Sequence, residues 1–349
     1  MTEEQDIKLI RQKLEQCARP IFLFDDDPDG LASFLILYRM VRAGKGLPLK
    51  GSVIDERMVE KVNNYFPDLV VILDKAEVSQ EFIDKIRSEV VWVDHHEVKK
   101  RKGVTYLNPR KEDAERNIAT SHYAHKLSGK DLWQTVVGIV SDWQLPEKEI
   151  LDRFRKEYPG YLPADVDNPA KALFETKVGE LARIFSFNLK GKTTDVLSSM
   201  KILTRIDNPN DLFEKKNAQA RLVMKRYEKH LAEYQKIKES VDVNAEDPLL
   251  LFTYTDDRNS YTTDLSNELL YEQPEKLILI ARQSNGSYKC SLRSNALPVD
   301  KILSRVLEEV EGTGGGHEHA CGAVIPSENF SDFVEGLRGK SKELKTKNS

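Results

Sequence analysis

The stretch that decides the fold of this 349-residue chain is Ile21-Phe22-Leu23-Phe24-Asp25-Asp26-Asp27-Pro28-Asp29-Gly30. Its first four residues form a short apolar run, which is typical of a buried β-strand. Three alternating carboxylates, those of Asp25, Asp27 and Asp29, follow the end of this predicted strand. Carboxylates this close oppose one another's ionisation, so either their pKa values rise or cations neutralise them. The stretch therefore predicts a divalent metal site.

Two other interpretations compete for the acidic stretch. A calcium-binding EF-hand loop also opens with alternating Asp residues and a Gly, but it needs a bidentate Glu at its twelfth position. That position holds Ile36, and the preceding segment is strand-like rather than helical. The plainer alternative is a solvated acidic turn, which is commoner for one Asp-x-Asp than for three Asp in five residues. The metal site is the first of the three hypotheses.

The composition is that of an ordinary globular protein. Apolar residues make up 40% of the chain, and the length allows two domains. The 53 Lys and Arg against 57 Asp and Glu give a net charge of -4, which argues against a broadly basic surface for duplex nucleic acid. Neither a GxxxxGK[ST] nor a GxGxxG motif occurs, so nucleotide-driven motors and dehydrogenases are disfavoured.

Cysteine usage and hydropathy bear on the compartment. Cys17, Cys290 and Cys321 are odd in number and far apart, which suits reduced thiols and provides no disulfide framework. The apolar runs have the length of strands, and the first 16 residues are charged and helical in pattern. We therefore expect a soluble cytoplasmic protein that does not engage a membrane.

Strand-like and helix-like segments alternate through the first part of the chain. Short apolar runs lie at 21–24, 51–54, 69–73 and 90–93, and helical patterns lie at 31–41 and 81–87. This alternation predicts an α/β fold with a mostly parallel sheet. Ligands of such sheets bind outside the carboxyl ends of the strands. Asp25, Asp74 and Asp94 each follow a predicted strand, so we expect these groups to face one crevice.

The rest of the chain predicts a helical middle and a second, smaller α/β lobe with a mixed sheet. Helical patterns occupy 177–189, 194–203 and 211–241, and strand patterns return at 249–254, 276–281 and 288–293 before a glycine cluster at 312–316. We predict an N-terminal domain over 1–208, a helical connector over 209–245, a C-terminal domain over 246–340 and a flexible Lys-rich tail over 341–349.

Further chemistry-bearing residues follow other predicted strands. Asp94-His95-His96 comes directly after the strand-like run 90–93. Imidazole nitrogen together with carboxylate oxygen suits Mn²⁺, Zn²⁺ or Fe²⁺ better than Ca²⁺. Asp74 follows the run 69–73, and Asp142 follows 136–141. Each of these two residues has two interpretations, as a metal ligand or as the N-cap of the next helix.

The glycine cluster and a nearby arginine suggest phosphate binding. Gly314, Gly315 and Gly316 lack a Cβ and let backbone N–H groups approach phosphate oxygens closely, although most Gly-rich segments are simply turns. Arg293 is either a bidentate phosphate ligand or a surface residue at a strand edge. The alternating His317, His319 and Cys321 resemble part of a zinc site, but they supply only three ligands.

In their order along the chain, these segments resemble the motifs of the DHH phosphoesterase superfamily. The matching segments are Asp25-x-Asp27-x-Asp29-Gly30, Asp74 at the end of the third strand, Asp94-His95-His96, and Gly138-Ile139-Val140-Ser141-Asp142. Gly314-Gly315-Gly316-His317, followed by Ala320 and Gly322, resembles the GGGH motif of the DHH-associated C-terminal domain. The resemblance covers nearly the whole chain and is strongest to RecJ-like exonucleases and related oligonucleotide phosphodiesterases. Asp25 departs from the pattern, because many relatives carry His there.

The resemblance implies a centre of two Mn²⁺ ions, with Mg²⁺ or Co²⁺ as substitutes. One ion is expected on Asp27 and Asp74, with Asp25 as an additional ligand, and the other on Asp29, Asp74, His95 and Asp142. Asp74 would bridge the two ions. His96 would contact the scissile phosphate or assist the leaving group, and Asp94 would orient an imidazole. The substrate's phosphate would be held by Arg293, Gly314, Gly315, Gly316 and His317.

The activity implied by the resemblance is hydrolysis of single-stranded DNA or RNA, or of short oligonucleotides, to mononucleotides by two-metal in-line attack of water. Two alternatives stay open. One is a small-molecule phosphoesterase acting on cyclic dinucleotides, nucleoside bisphosphates or pyrophosphate, although the Gly-His motif disfavours pyrophosphate. The other is a non-catalytic replication scaffold. A replication or repair partner such as the GINS complex is an expectation by analogy with archaeal relatives.

Overall fold

The computed structural model describes residues 2–256 and 259–348, with side chains up to 342. It divides the chain into two compact units, an N-terminal unit, Met1–Glu228, and a C-terminal unit, Lys229–Ser349.

A parallel sheet forms the centre of the N-terminal unit. The described strands are β1 (Ile21–Asp25), β2 (Lys45–Leu49), β3 (Val53–Ile54), β4 (Leu69–Leu73), β5 (Glu77–Val78), β6 (Glu89–Val93) and β7 (Val104–Leu107). The main sheet has the order β2-β1-β4-β6-β7 with parallel pairs throughout. Strands β1, β4 and β6 are almost entirely buried, which explains their continuous apolar runs.

One predicted strand was only partly right. Of the segment 51–54, only β3 is a strand, and it pairs with β5 in a separate two-stranded sheet. The second strand of the main sheet is instead β2, an edge strand that contains Gly46 and Pro48. Glycine and proline are depleted in strands, and proline is tolerated at sheet edges, so the apolar pattern did not reveal β2.

Helices precede, connect and follow these strands, and they fill the second half of the N-terminal unit. They are α1 (Glu3–Gln16), α2 (Pro28–Val41), α3 (Val59–Asn63), α4 (Gln80–Lys85), α5 (Thr120–Ser128), α6 (Leu132–Ser141), α7 (Lys148–Glu157), α8 (Pro169–Glu175), α9 (Lys177–Asn188), α10 (Thr193–Leu203), α11 (Asn210–Phe213) and α12 (Ala218–Glu239). The boundary between the two units falls inside α12. Among the described residues, no helix combines the length and apolar character that a bilayer crossing requires.

The C-terminal unit contains a mixed sheet, as predicted. Its described elements are β8 (Leu249–Thr255), α13 (Thr262–Glu272), β9 (Leu277–Ser284), β10 (Ser287–Arg293), α14 (Val299–Leu307), β11 (Thr313–His317), β12 (Ala320–Pro326) and α15 (Phe330–Asn348). The strand order is β11-β12-β10-β9-β8, and β8 with β9 is the parallel pair. The predicted fold class, two α/β lobes with a parallel and a mixed sheet, is therefore confirmed.

Two segments of this unit differ from the sequence pattern. The glycine cluster forms the exposed edge strand β11, because pairing with β12 supplies the ladder that its residues could not specify by propensity. The residues from 341 onward, predicted as a flexible tail, continue α15 as far as Asn348, and Ser349 lies outside the described residues.

Candidate metal centre

The acidic stretch lies where β1 ends and α2 begins. Asp25 is the last residue of β1, and Asp27 is the N-cap of α2, where its Oδ1 accepts the Gly30 N–H at 2.8 Å. Asp29, in the first helical turn, is almost fully buried. A Cβ at Gly30 would lie 2.5 Å from the Asp25 carbonyl oxygen, so glycine lets the turn close this tightly.

The amino-terminal end of helix α5 binds the Asp29 carboxylate. The backbone N–H groups of Thr120 and Ser121 donate to its two oxygens at 2.7 and 3.1 Å. The Thr120 hydroxyl also donates to Asp74 Oδ1 at 3.1 Å. A helix N-terminus offers unpaired N–H groups and a favourable dipole to an anion. Gly138 permits this approach, since a Cβ there would lie 2.8 Å from Asp29 Oδ1.

His95 connects several acidic groups of the centre. Its Nε2 lies 3.2 Å from Asp74 Oδ1, and its Nδ1 lies 3.6 Å from Asp142 Oδ2. The same Nδ1 lies 2.7 Å from Asn117 Oδ1. Because an amide oxygen accepts hydrogen bonds and cannot donate them, His95 Nδ1 carries the proton of this bond. In neutral His95 the lone pair is then on Nε2, beside Asp74, as a metal-ligating imidazole requires.

Asp142 comes from the end of a helix rather than from a strand. It is the C-cap of α6, and its Oδ2 accepts the Gln144 side-chain amide at 2.7 Å. The Gln144 Oε1 in turn accepts the Ala119 N–H at 3.0 Å. Residues 117–121 therefore hold His95, Asp29, Asp74 and, through Gln144, Asp142. We define this stretch as the bracing segment.

The bracing segment and Lys75 were not predicted from the sequence. Polar residues ahead of a helix are usually ordinary caps, and nothing in the spacing of Asn117, Thr120 and Ser121 pointed to Asp29 or His95. Lys75 follows Asp74, is fully buried, and forms an ion pair with Asp25. A lysine after an acidic residue predicts a solvated charge, so the signal was absent there too.

The acidic groups influence one another strongly. Burial raises the pKa of Asp29 to about 8, with the charges of Asp74 and Asp142 adding to the effect. Burial likewise raises the pKa of Asp142 to about 6. The carboxylates of Asp25 and Asp27 also feel the charge of Asp74; burial raises the pKa of Asp25 to about 6 and that of Asp27 well above its usual value.

The pKa values of Asp74 and His95 shift in the directions that keep both groups charged. Burial would raise the pKa of Asp74, but the hydrogen bond and charge of His95, the charge of His96 and the Thr120 hydroxyl together lower it to about 2. Burial would lower the pKa of His95, but the charges of Asp142 and Asp74 raise it well above normal. The predicted ligands at positions 25, 27, 29, 74, 95 and 142 are thus electrostatically coupled in one place. This carboxylate-imidazole donor set fits divalent cations such as Mn²⁺.

His96 and Asp94 form a hydrogen-bonded pair at the edge of this cluster. The His96 Nδ1 lies 2.7 Å from Asp94 Oδ1, and the His96 N–H donates to Asp94 Oδ2 at 3.1 Å. Asp94 is fully buried and also accepts from Tyr106 and Asn108, both at 3.3 Å. The imidazole that Asp94 orients is therefore that of His96. Donor atoms of Asp74, His95 and His96 lie within 4.8 Å of one another.

In the C-terminal unit, Arg293 and His317 lie in one cross-strand row. Arg293 on β10 is opposite Ala320 on β12, which is opposite His317 on β11. Directly opposed residues of antiparallel strands share a face, so both side chains belong to the same face of the sheet. Ser291, Gly322 and Gly315 form the next row on that face. Small residues thus separate the arginine from the histidine.

Arg293 is held without a carboxylate. Its Nε donates to Asn267 Oδ1 at 2.8 Å and its Nη1 to the Leu292 carbonyl at 2.8 Å. It forms no ion pair with any described side chain, and burial lowers its pKa to about 10. A buried guanidinium with spare donors suits an anionic ligand.

The zinc alternative for this unit lacks geometric support. Cys321 belongs to the hydrophobic core, whereas His317 is exposed on β11 opposite Ala320. Adjacent residues of a strand face opposite sides of a sheet, so Cys321 points away from the face that carries His317. Within the described residues, these groups do not form a metal-binding cluster.

Five carboxylates and a histidine, gathered at the end of a parallel sheet, thus define a candidate divalent-metal centre. Two family models match the chain: the DHH family N-terminal domain over residues 21–152 and the DHHA1 domain over residues 254–343. Through these two domains the chain belongs to the DHH phosphoesterase superfamily, as its motifs predicted. Members of this superfamily are phosphoesterases. No curated protein sequence matches the chain.

Solved structures share this fold. RecJ from Thermus thermophilus in complex with Mn²⁺ matches with a TM-score of 0.68 and 17% identity over 98% of this chain and 55% of that one. Its complex with Mg²⁺ matches with a TM-score of 0.63 and 16% identity over 98% of this chain and 52% of that one. An exonuclease RecJ bound to manganese matches with a TM-score of 0.63 and 18% identity over 98% of this chain and 94% of that one. The chain therefore spans only about half the length of the Thermus protein.

Proposed function

We propose that this protein is a divalent-metal-dependent phosphodiesterase that hydrolyses single-stranded DNA or RNA, or short oligonucleotides, to mononucleotides. The observation that carries the proposal is the convergence of Asp74, His95 and Asp142 through direct contacts, with Asp25, Asp27 and Asp29 coupled to them electrostatically. Two Mn²⁺ ions are the proposed cofactor, with Mg²⁺ or Co²⁺ as substitutes. Similar RecJ structures contain Mn²⁺ or Mg²⁺.

The proposed ligands divide between two ions. Asp27 and Asp74, with Asp25, would hold one, and Asp29, Asp74, His95 and Asp142 the other. Such ions would lower the pKa of a bound water and stabilise an in-line displacement at phosphorus. The bracing segment would keep His95 and Asp29 oriented during the reaction, since ligands held by outer hydrogen bonds need little reorganisation.

The chain's own acid-base group is the pair of His96 and Asp94. Burial would lower the pKa of His96, but the hydrogen bond and charge of Asp94 raise it. A His96 imidazolium whose Nδ1 is bound to Asp94 keeps its Nε2 proton for another acceptor. We assign this proton to the leaving oxygen of the phosphodiester. Arg293, His317 and the strand Gly314–Gly316 are proposed to hold a substrate phosphate.

The test is a substrate-length series with the purified protein and Mn²⁺. Single strands of two to about 30 nucleotides, labelled at the 5′ or the 3′ end, should release mononucleotides, and the label should reveal the direction. Asp74→Asn should abolish the release. A cyclic dinucleotide, a nucleoside bisphosphate and pyrophosphate serve as comparison substrates. Intact strands at high protein concentration, or faster hydrolysis of a comparison substrate, would contradict the proposal. A replication partner is proposed by analogy alone.

A further inference from the structure

Trp143 differs from the other two tryptophans of the chain. Trp92 and Trp133 are 0% and 1% exposed, and their indole N–H groups donate to the carbonyls of Lys75 and Asp207. Trp143 is 38% exposed, and its indole N–H donates to no described residue. Buried tryptophans normally find a polar partner. Single exposed hydrophobic side chains are common, so the surroundings of Trp143 decide what its exposure means.

The position of Trp143 connects it with the metal centre. It directly follows Asp142, whose Oδ2 lies 3.6 Å from His95 Nδ1. Consecutive Cα atoms are about 3.8 Å apart, so the indole is attached one residue from a candidate metal ligand. On its other side, Gln144 bonds both Asp142 and the bracing segment. The backbone N–H of Trp143 donates to the Val140 carbonyl at 3.1 Å, so the backbone is held on both sides of Asp142.

The backbone of Trp143 is in an unfavourable conformation. Its φ angle of 57° lies in the left-handed region, where a bulky side chain is strained and glycine or asparagine is usual. Such residues persist where the surrounding structure holds them, and they cluster at ligand-binding sites. Phe66 shares this backbone conformation, so the role of Trp143 rests on its place beside Asp142.

The indole is supported on one side by Phe174. Their ring centroids lie 5.8 Å apart with an interplanar angle of 63°, an edge-to-face contact. An aromatic ring that is braced by a second ring and partly open to solvent is suited to stacking on a planar ligand. In single-stranded nucleic-acid binding, aromatic side chains stack on bases with little dependence on sequence.

We propose that Trp143 is a nucleobase-stacking subsite for the nucleotide next to the scissile phosphate. This inference rests on the proposed phosphodiesterase function and deepens it, because a base-stacking subsite selects nucleotides over phosphoesters that lack a base. The base of a nucleotide is joined to its phosphate by a single sugar, and Trp143 is joined to the candidate ligand Asp142 by a single peptide bond. Trp143 therefore sets substrate class, while the metal centre performs hydrolysis.

Binding can be read from Trp143 directly. The ligand is a dithymidine in which a methylene group replaces the bridging oxygen, so it cannot be hydrolysed. It is titrated into the protein in the presence of Mg²⁺ while tryptophan emission and its quenching by acrylamide are followed. Since Trp92 and Trp133 are buried, the stacked complex should quench the emission and protect it from acrylamide, and Trp143→Phe should lose both responses. Unchanged emission and unchanged acrylamide quenching at saturation would overturn the inference.

The second measurement compares hydrolysis of a dinucleotide with hydrolysis of an analogue that lacks one base. Trp143→Leu should lower kcat/KM for a dinucleotide about tenfold, Trp143→Phe should lower it less, and neither should change hydrolysis of an analogue with an abasic residue at the stacked position. Phe66→Leu is the matched control, because Phe66 is 69% exposed with φ 52° and precedes β4 at the opposite end of the sheet.

The outcomes separate the inference from the function on which it rests. An equal loss on both substrates would assign Trp143 a structural role and overturn the stacking subsite, with hydrolysis intact. If Trp143→Leu does not fold, Trp143→Phe and the wild-type fluorescence decide the same question. If neither the base-containing nor the abasic compound is bound or hydrolysed, the proposed phosphodiesterase function itself fails.

Discussion

The Lys75 Nζ lies 2.6 Å from Asp25 Oδ1, and the lysine side chain has no exposed surface, whereas that of Asp25 is 29% exposed. The same ammonium group donates to the carbonyls of Leu49 at 3.1 Å and of Gly51. A buried lysine is stable only when its charge is paired and its protons are bonded. Asp25 therefore has an internal counter-ion in addition to its electrostatic coupling with Asp74.

Lys75→Met should destabilise the protein by about 3 kcal/mol, because it leaves Asp25 unpaired in a mostly buried position. Adding Asp25→Asn should recover part of this loss, since the uncompensated charge is then removed. The measurement is the free energy of unfolding in urea with EDTA present.

Lys85→Met is the matched control for this pair. Lys85 and Glu56 are also 2.6 Å apart, but their side chains are 56% and 59% exposed. An exposed pair contributes about 0–1 kcal/mol. Equal effects of Lys75→Met and Lys85→Met would show that the buried pair contributes no more than a surface pair.

Asn117→Ala should weaken Mn²⁺ binding about 10- to 100-fold, the usual effect of removing a residue that orients a metal-ligating histidine. The reason is the 2.7 Å bond between Asn117 Oδ1 and His95 Nδ1. Isothermal titration with Mn²⁺ gives the affinity. Asn63→Ala removes a comparable side chain, which donates to the Lys85 carbonyl, and should leave the affinity unchanged. Wild-type affinity in Asn117→Ala would exclude this orienting role.

Asp94→Asn should lower kcat at least tenfold and leave Mn²⁺ affinity within about twofold of wild type. Its carboxylate binds His96 rather than His95, so the change affects the proposed proton donor and not the metal ligand. The acid limb of the pH-rate profile should persist, while the basic limb, which reports His96 deprotonation, should move to lower pH. A large loss of Mn²⁺ affinity would instead assign Asp94 to the metal centre.

Stability without metal should fall as pH rises from about 4 to 8. The folded-state pKa values of Asp25 and Asp29, about 6 and about 8, are above the usual value. The folded protein therefore binds more protons than the unfolded chain in this window, and stability present at low pH is lost as pH rises through the folded pKa values. His95, whose pKa is also raised, acts in the same direction above its usual pKa. Asp74, at about 2, titrates below the window.

Thermal unfolding in EDTA should show this trend, with a Tm at least about 3 °C lower at pH 8 than at pH 5. Added Mn²⁺ should oppose the fall, because metal ions bind the ionised carboxylates and stabilise the folded state by mass action. A Tm in EDTA that rises across this range would contradict the predicted coupling of the acidic groups.

Alanine substitutions at two glycines of β11 should separate an effect on substrate binding from an effect on stability. A Cβ at Gly315 meets no atom within 4 Å, whereas one at Gly316, with φ 153°, would lie 2.3 Å from the Ala320 carbonyl oxygen. The free energy of unfolding of Gly315→Ala should therefore lie within about 0.5 kcal/mol of the wild-type value. That of Gly316→Ala should be lower by about 1–3 kcal/mol. Gly315→Ala should also raise the KM for oligonucleotides, because its methyl group projects onto the face that carries His317. An unchanged KM would remove β11 from the proposed substrate site.

Much of the centre could be predicted from the sequence because parallel strands share one direction. Apolar runs identified β1, β4 and β6, and the residues after parallel strands meet at one edge of the sheet. The sequence therefore predicts that Asp25, Asp74 and Asp94 lie near one another. Asp142 was found by its motif, although the element before it is a helix and not a strand.

The sequence by itself determined the fold class, the superfamily and the acidic and histidine residues, because strand periodicity and motif order are local properties of the chain. Only the tertiary structure decided that Asn117 holds His95, that Thr120 and Ser121 hold Asp29, and that Lys75 pairs with Asp25. These contacts join residues 22 to 92 positions apart. Hydrogen bonds and ion pairs over such distances depend on packing, which no local pattern of residues specifies.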